Sequence, residues 1–139
     1  MILVDTNVWS ETTRTRPDPR VLDWLRRHHD EIGLNSVTMG ELLTGLTLMP
    51  EGRRRDELTQ RVEALIADFG DTIYPYNDRA ARAYSVIRAA LRRAGRQPVK
   101  PEDGMIAAIA VAHGFSIATR NVTDFDLTGV HVINPWTDH

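Results

Sequence analysis

Residues 1–8 read Met-Ile-Leu-Val-Asp-Thr-Asn-Val. Ile2-Leu3-Val4 is a continuous apolar run that stops abruptly at Asp5. An uninterrupted run of this kind is expected of a strand buried on both faces, as in a parallel sheet covered by helices. An acid directly after such a strand stands at its carboxyl end. In parallel α/β sheets that edge is where ligands bind.

The rest of the chain repeats the alternation. Asp18-Pro19 starts a helix with Pro in its first turn, and Val21, Leu22, Trp24 and Leu25 give it an apolar face ending near His28-His29. Ile32 to Val37 reads as a strand. Thr38 to Met49 reads as a helix, broken by Pro50-Glu51-Gly52. Leu58, Val62, Leu65, Ile66 and Phe69 recur at helical spacing, and Gly70 ends that helix. Thr72-Ile73-Tyr74 is a short strand candidate. Asn77-Asp78 caps a helix through Leu91 that stops at Gly95, and Arg96 to Pro101 reads as a loop. Gly104 to His113 is Ala-rich and apolar nearly all round, which predicts a central buried helix closed by Gly114. Phe115–Thr119 and Val130–Ile133 are two further strands. Strands alternating with helices predict an α/β fold with a central parallel sheet flanked by helices, as a single domain over residues 1–139.

Four positions follow or precede these elements at one sheet edge. They are Asp5, Glu41 after Thr38-Met39-Gly40, Asp103 before Gly104, and Asn121 after Thr119-Arg120. Each has a local reading. Asp5 suits an Asx turn, Glu41 the fourth position of a capping box begun by Thr38, Asp103 the positive end of a helix dipole, and Asn121 a turn. One shared cause explains all four: a hard oxygen-donor site for Mg²⁺ or Mn²⁺, suited to phosphodiester chemistry.

Composition is compatible with this reading. The 139 residues are 42% hydrophobic and 26% charged, with a net charge of -2 and no cysteine. Disulfides and thiolate zinc sites are therefore excluded. No apolar run approaches the roughly 20 residues of a membrane span. The sequence opens on a strand-like run without a basic leader, so a cytoplasmic location is the expectation. Of 17 basic residues only Lys100 is lysine. Arginine grips phosphate in bidentate fashion, but the net charge shows no overall basic excess, so any nucleic-acid contact would rest on local patches and on metal.

The ordered set Ile2-Leu3-Val4-Asp5-Thr6-Asn7-Val8, Thr38-x-x-Glu41-Leu42, Asp103-Gly104-Met105-Ile106-Ala107-Ala108 and Thr119-Arg120-Asn121 resembles the PIN-domain family. Order and spacing are similar to those of VapC-type toxins of bacterial toxin–antitoxin pairs. Trp9-Ser10-Glu11 and Val132-Ile133-Asn134-Pro135-Trp136 look like the FitB-type branch. The resemblance spans essentially the whole chain. It implies a PIN-like three-layer α/β/α fold, a homodimer, and a metal-dependent endoribonuclease silenced by a small VapB-type antitoxin. By position, Asp5, Glu41 and Asp103 match the family's acidic metal-binding triad. Asn121 matches a fourth position that is often Asp. The amide adds no charge there; Asp124, three residues on, reads either as a helix cap or surface turn or as a substitute for it.

Thr6 and Thr119 are expected as hydroxyl contacts to metal water or phosphate. Arg92, Arg93, Arg96 and Lys100 are candidates for guiding RNA phosphates, or a solvated helix end. Arg53-Arg54-Arg55 reads as a solvated helix start, His113 as a residue without catalytic duty, and His28 and His29 as surface. Trp9, Trp24 and Trp136 read as core or interface. The expected reaction is in-line cleavage of RNA by metal-activated water, leaving 5′-phosphate and 3′-hydroxyl ends. Two alternatives stand beside it. One is a weakly or non-catalytic partner in a FitAB-like DNA-binding repressor complex. The other is a phosphoryl-transfer domain with Asp5 as nucleophile, which the amide at Asn7 and the scarcity of lysine disfavour.

Overall fold

The computed structural model describes residues 1–70, 72–96 and 100–138. The chain runs β1 (Ile2–Val4), α1 (Thr6–Glu11), α2 (Pro19–Arg27), β2 (Ile32–Asn35), α3 (Ser36–Leu48), α4 (Arg53–Phe69), β3 (Ile73–Tyr74), α5 (Asp78–Arg93), α6 (Pro101–His113), β4 (Ser116–Ala118), a 3₁₀ turn (Val122–Phe125) and β5 (Val132–Ile133). The five strands form one sheet in the order β3-β2-β1-β4-β5, with every pairing parallel. The expected α/β architecture with a central parallel sheet is therefore found.

The opening strand is the middle of the sheet. Ile2 pairs with Ile32 on one side and with Ser116 on the other. Successive side chains of a strand face opposite ways, and β1 divides accordingly. Ile2 and Val4 join a core with Val8, Trp9, Val21, Trp24, Leu42, Leu46, Leu58 and Val62, which places α1 to α4 over one face. Leu3 joins Ala80, Ile87, Ile106, Ile109, Ile117 and Phe125, which places α5 and α6 over the other. Ile106 to Ala110 are all buried, so the middle of α6 is wrapped on every side, as its apolar composition predicts, while Val111 beyond it is exposed. Gly114 closes α6 at φ 70°, a left-handed cap that glycine adopts without a Cβ clash.

Three differences from the sequence reading bear on the site. α1 was not expected at all: six residues are too few for a 3.6-residue period to show, and Val8 and Trp9 are its buried pair. The helix expected from Thr38 starts at Ser36. Its cap is Asn35, whose side chain accepts from the Thr38 backbone N–H at 2.9 Å and donates to the Thr38 hydroxyl. The capping box from Thr38 to Glu41 therefore does not form, and Glu41 lies in the second helical turn. Pro101, expected at the end of a loop, starts α6, where a missing N–H costs nothing, and Asp103 lies in the first turn, in keeping with its helix-dipole reading. The remainder of the loop expected over 96–101 falls partly on residues 97–99, outside the described residues.

Candidate functional site

Parallel pairing sends the carboxyl ends of β1, β2 and β4 to one edge. Asp5 follows β1 there and is almost fully buried, 4% exposed. One carboxylate oxygen accepts from the Thr6 N–H at 2.7 Å, capping α1. The other accepts from the Thr119 hydroxyl at 2.8 Å and the Asn7 amide at 3.2 Å. Thr119 follows β4 and is itself fully buried. The Thr6 hydroxyl donates to Glu41 at 2.8 Å and so ties α3 to the turn after β1. Asp103 lies in the first turn of α6, and Asp124 in the 3₁₀ turn after β4.

These four acids share one field. Burial pushes the Asp5 carboxyl up, against the lowering effect of the Thr119 and Thr6 hydrogen bonds, while Asp124 adds repulsion. Burial likewise raises Glu41, opposed by the Thr6 hydroxyl and reinforced by the Asp5 charge. Asp103 is raised to about 7, first by burial and then by repulsion from Asp5, Asp124 and Glu41. Lys100, at the N-cap of α6, is the cation that acts against all three shifts. The cluster therefore carries more negative charge than its surroundings balance. Its donors are all hard oxygens, which fits Mg²⁺ or Mn²⁺ and not a softer ion. Among the described residues no three His, Cys, Asp or Glu side chains stand close enough to grip an ion as placed. To ligate one ion, their side chains would have to turn toward it.

Gly104 brings α5 against this edge. A Cβ on Gly104 would lie 3.0 Å from the Tyr84 ring, so the bare backbone lets Tyr84 approach the turn that carries Asp103.

Not every expected residue joins the cluster. Asn121 is exposed at the start of the 3₁₀ turn, where its backbone N–H donates to the Thr119 hydroxyl at 3.1 Å. The charge that reaches Asp5 and Asp103 from this segment belongs to Asp124. Arg92 and Arg93 end α5 on the surface, and Arg96 pairs with Asp126 at 3.7 Å. Of the four basic candidates, Lys100 is the one whose charge reaches the acids. Trp9, Trp24 and Trp136 are buried in the core on the α1–α4 face. His113 stacks on Phe115 at 5.0 Å and plays a packing role, whereas His28 is half-buried against Trp24 and not on the surface as expected.

Asn7 is the residue that sequence reasoning did not place in the site. Its amide bridges Asp5 and Thr119, and its carbonyl oxygen accepts from the Arg120 N–H at 3.2 Å. The available signal was position: a polar residue two places after a candidate ligand, inside the same turn.

The profile of the PIN domain matches residues 2–129. The chain belongs to the PIN-domain family. Among its relatives, this PIN domain is 41% identical to the plasmid stability protein StbB of Pseudomonas syringae pv. tomato, over 98% of this chain and 99% of that protein. It is 38% identical to the VapC ribonuclease Y4jK of Sinorhizobium fredii, over 98% of each. Two solved structures superpose with a TM-score of 0.92 at 35% identity. FitAcB from Neisseria gonorrhoeae is matched over 99% of both chains, and FitAB bound to a DNA fragment over 100% of this chain and 98% of that one. The resemblance to VapC- and FitB-type proteins, first read from the motifs, thus extends over the whole PIN domain. No helix among the described residues is long and apolar enough to cross a membrane.

Proposed function

We propose that this PIN domain is a divalent-metal-dependent endoribonuclease, the toxin of a toxin–antitoxin pair restrained by a small VapB-type antitoxin. The carrying observation is the convergence of Asp5, Glu41, Asp103 and Asp124 at one sheet edge, with the Asp103 carboxyl raised to about 7 by burial and by its neighbours. Support for RNA as substrate comes from the ribonuclease name of a relative 38% identical along its length. Support for an antitoxin comes from the likeness to the FitAB assembly. A homodimer is part of the same reading.

Asp5, Glu41, Asp103 and Asp124 would hold Mg²⁺ or Mn²⁺. A bound divalent ion neutralises phosphodiester charge and lowers the pKa of a coordinated water. The residues around the acids set their geometry. Thr119 and Asn7 fix the Asp5 carboxylate from one side, and the Thr6 N–H fixes it from the other. The Thr6 hydroxyl orients Glu41. Burial of Asp5 and Thr119 limits water at the base of the cleft. Lys100 adds a positive charge at its mouth.

The test is cleavage of total RNA by purified, antitoxin-free protein, with and without Mg²⁺ or Mn²⁺, beside Asp5→Ala and Asp103→Asn. Discrete cuts with 5′-phosphate ends that need metal and vanish in both variants are expected. Cyclic 2′,3′-phosphate ends would overturn the mechanism. A second reading is favoured by the DNA-bound FitAB likeness: a weakly catalytic partner in a DNA-binding repressor complex. Absence of cleavage from folded protein, together with operator binding once its antitoxin is added, would establish that reading instead.

A further inference from the structure

The turn after β4 that holds Asp5 also lines an open cleft of about 390 Å³, formed chiefly by Glu11, Arg14, Arg16, Asp18, Arg120 and Trp136. We propose that this cleft is a phosphate-binding subsite that holds single-stranded RNA flanking the scissile bond. The inference rests on the ribonuclease reading and adds to it the path of the substrate.

The cleft is built into the frame of the site. Arg120 directly follows Thr119, whose hydroxyl donates to Asp5. The Arg120 N–H donates to Asn7, and the Asn7 amide donates to Asp5. One wall is thus continuous with the turn that holds the buried carboxylate. The opposite wall is the segment between α1 and α2. Glu11, 4% exposed, fastens it: one oxygen accepts from the Asp18 N–H at 3.0 Å and the other from Arg14 at 3.2 Å. Pro17 and Pro19 fix two backbone φ angles in the same stretch. A wall set before binding lowers the ordering cost of association.

The charge is locally positive on a chain of net charge -2. Arg14 is neutralised by Glu11, and Arg20 by Asp18 at 2.8 Å. Arg16 and Arg120 are both exposed and make no ion pair among the described residues. Two guanidiniums outside any ion pair among the described residues therefore line the cleft, Arg120 within the field of Asp18, each able to grip a phosphate in bidentate fashion. The Arg120 guanidinium lies 5.0 Å over the Trp136 ring. Trp136 is buried beneath it, which holds the guanidinium plane in place while leaving its outer side open to a base or phosphate. Two cations suit a short run of flexible strand. A rigid duplex would demand an extended basic face.

The experiment measures fluorescence anisotropy of a labelled single-stranded RNA in EDTA, where cleavage is stopped, across a KCl series. Wild type is compared with Arg16→Ala/Arg120→Gln, and with Arg16→Ala alone in case Trp136 needs its cover; thermal melting checks the fold. Removing two phosphate contacts from a single strand should lower the salt slope by about 1.4 and weaken binding roughly tenfold at low salt. In metal, KM should rise with kcat retained. The proposal is overturned if the variants keep wild-type affinity and slope, if wild type binds no RNA, or if duplex DNA binds as well and loses as much. Cleavage by wild type is scored separately. Intact cleavage with unchanged variant binding removes the subsite alone. Lost variant binding without any cleavage removes the ribonuclease reading and overturns the subsite as a flank of the scissile bond, leaving RNA binding alone.

Discussion

Asp103→Asn should stabilise the metal-free protein at alkaline pH while removing its response to metal. In the folded state the Asp103 carboxyl is raised to about 7 from an ordinary 3.8, by burial and then by Asp5, Asp124 and Glu41. A raised folded pKa means that the folded protein holds a proton the unfolded chain has lost. Asp103 is therefore harmless below about pH 4, and its destabilising effect grows as pH rises through about 7. At about 1.4 kcal/mol per pH unit, the full gap corresponds to about 4 kcal/mol. Asp103 is only half-buried, and solvent screening halves this to about 2 kcal/mol. For a chain of this size that is about 6–10 °C in Tm. The assay is a thermal melt in EDTA at pH 5 and pH 8. Wild type should melt lower at pH 8, and Asp103→Asn should recover most of the difference. Mg²⁺ or Mn²⁺ should raise the wild-type Tm at pH 8, because an ion that binds only the folded state stabilises it, and should leave the variant nearly unmoved. A wild-type protein that melts identically at both pH values, with and without metal, would refute the clustered-charge account.

Thr119→Val strips a donor from buried Asp5 and an acceptor from Asn7 and the Asn121 N–H; a loss of about 1–3 kcal/mol is expected in urea unfolding, with weaker metal binding by titration calorimetry. Asp124→Asn should lower metal-dependent cleavage far more than Asn121→Ala, since only Asp124 contributes charge to the cluster; equal effects in a kinetic comparison would reverse that assignment. Trp24→Ala removes a side chain 1% exposed and should cost about 3–5 kcal/mol by chemical denaturation. Asn35→Ala uncaps α3 and leaves the buried Thr38 N–H without its partner, for about 1–2 kcal/mol.

The fold was legible because its signals are long or chemically loud. The apolar run at Ile2-Leu3-Val4, the periodic face of Leu58, Val62, Leu65 and Ile66, and the unbroken helix before Gly114 each point to one kind of environment. α1 was not legible, because six residues hold less than two turns of information. The start of α3 was misread because Thr38 and Glu41 imitate a capping box, while the true cap, Asn35, hides at the end of an apolar strand. The candidate acids Asp5, Glu41 and Asp103 could be named from their places beside strands and helix starts. What sequence could not supply was the third dimension of the turn after β4. There, three residues decide which side chain joins the acids, and the structure sets the Asp124 charge among them and leaves Asn121 exposed. Asn7 was invisible for the same reason, since its partners lie 112 and 113 residues away.

The strand order has a temporal consequence. β1 emerges first from synthesis yet occupies the centre of the sheet, with β4 as one of its two neighbours. Until residue 119 has emerged, Asp5 has no Thr119 to hold it, and until residue 124 the fourth carboxylate is missing. Contacts so distant in sequence also form late in folding. The acid cluster is thus incomplete in a nascent chain until the turn after β4 has been made. A host that makes such an enzyme gains an interval, set by translation itself, in which any restraining partner translated beforehand can already be waiting.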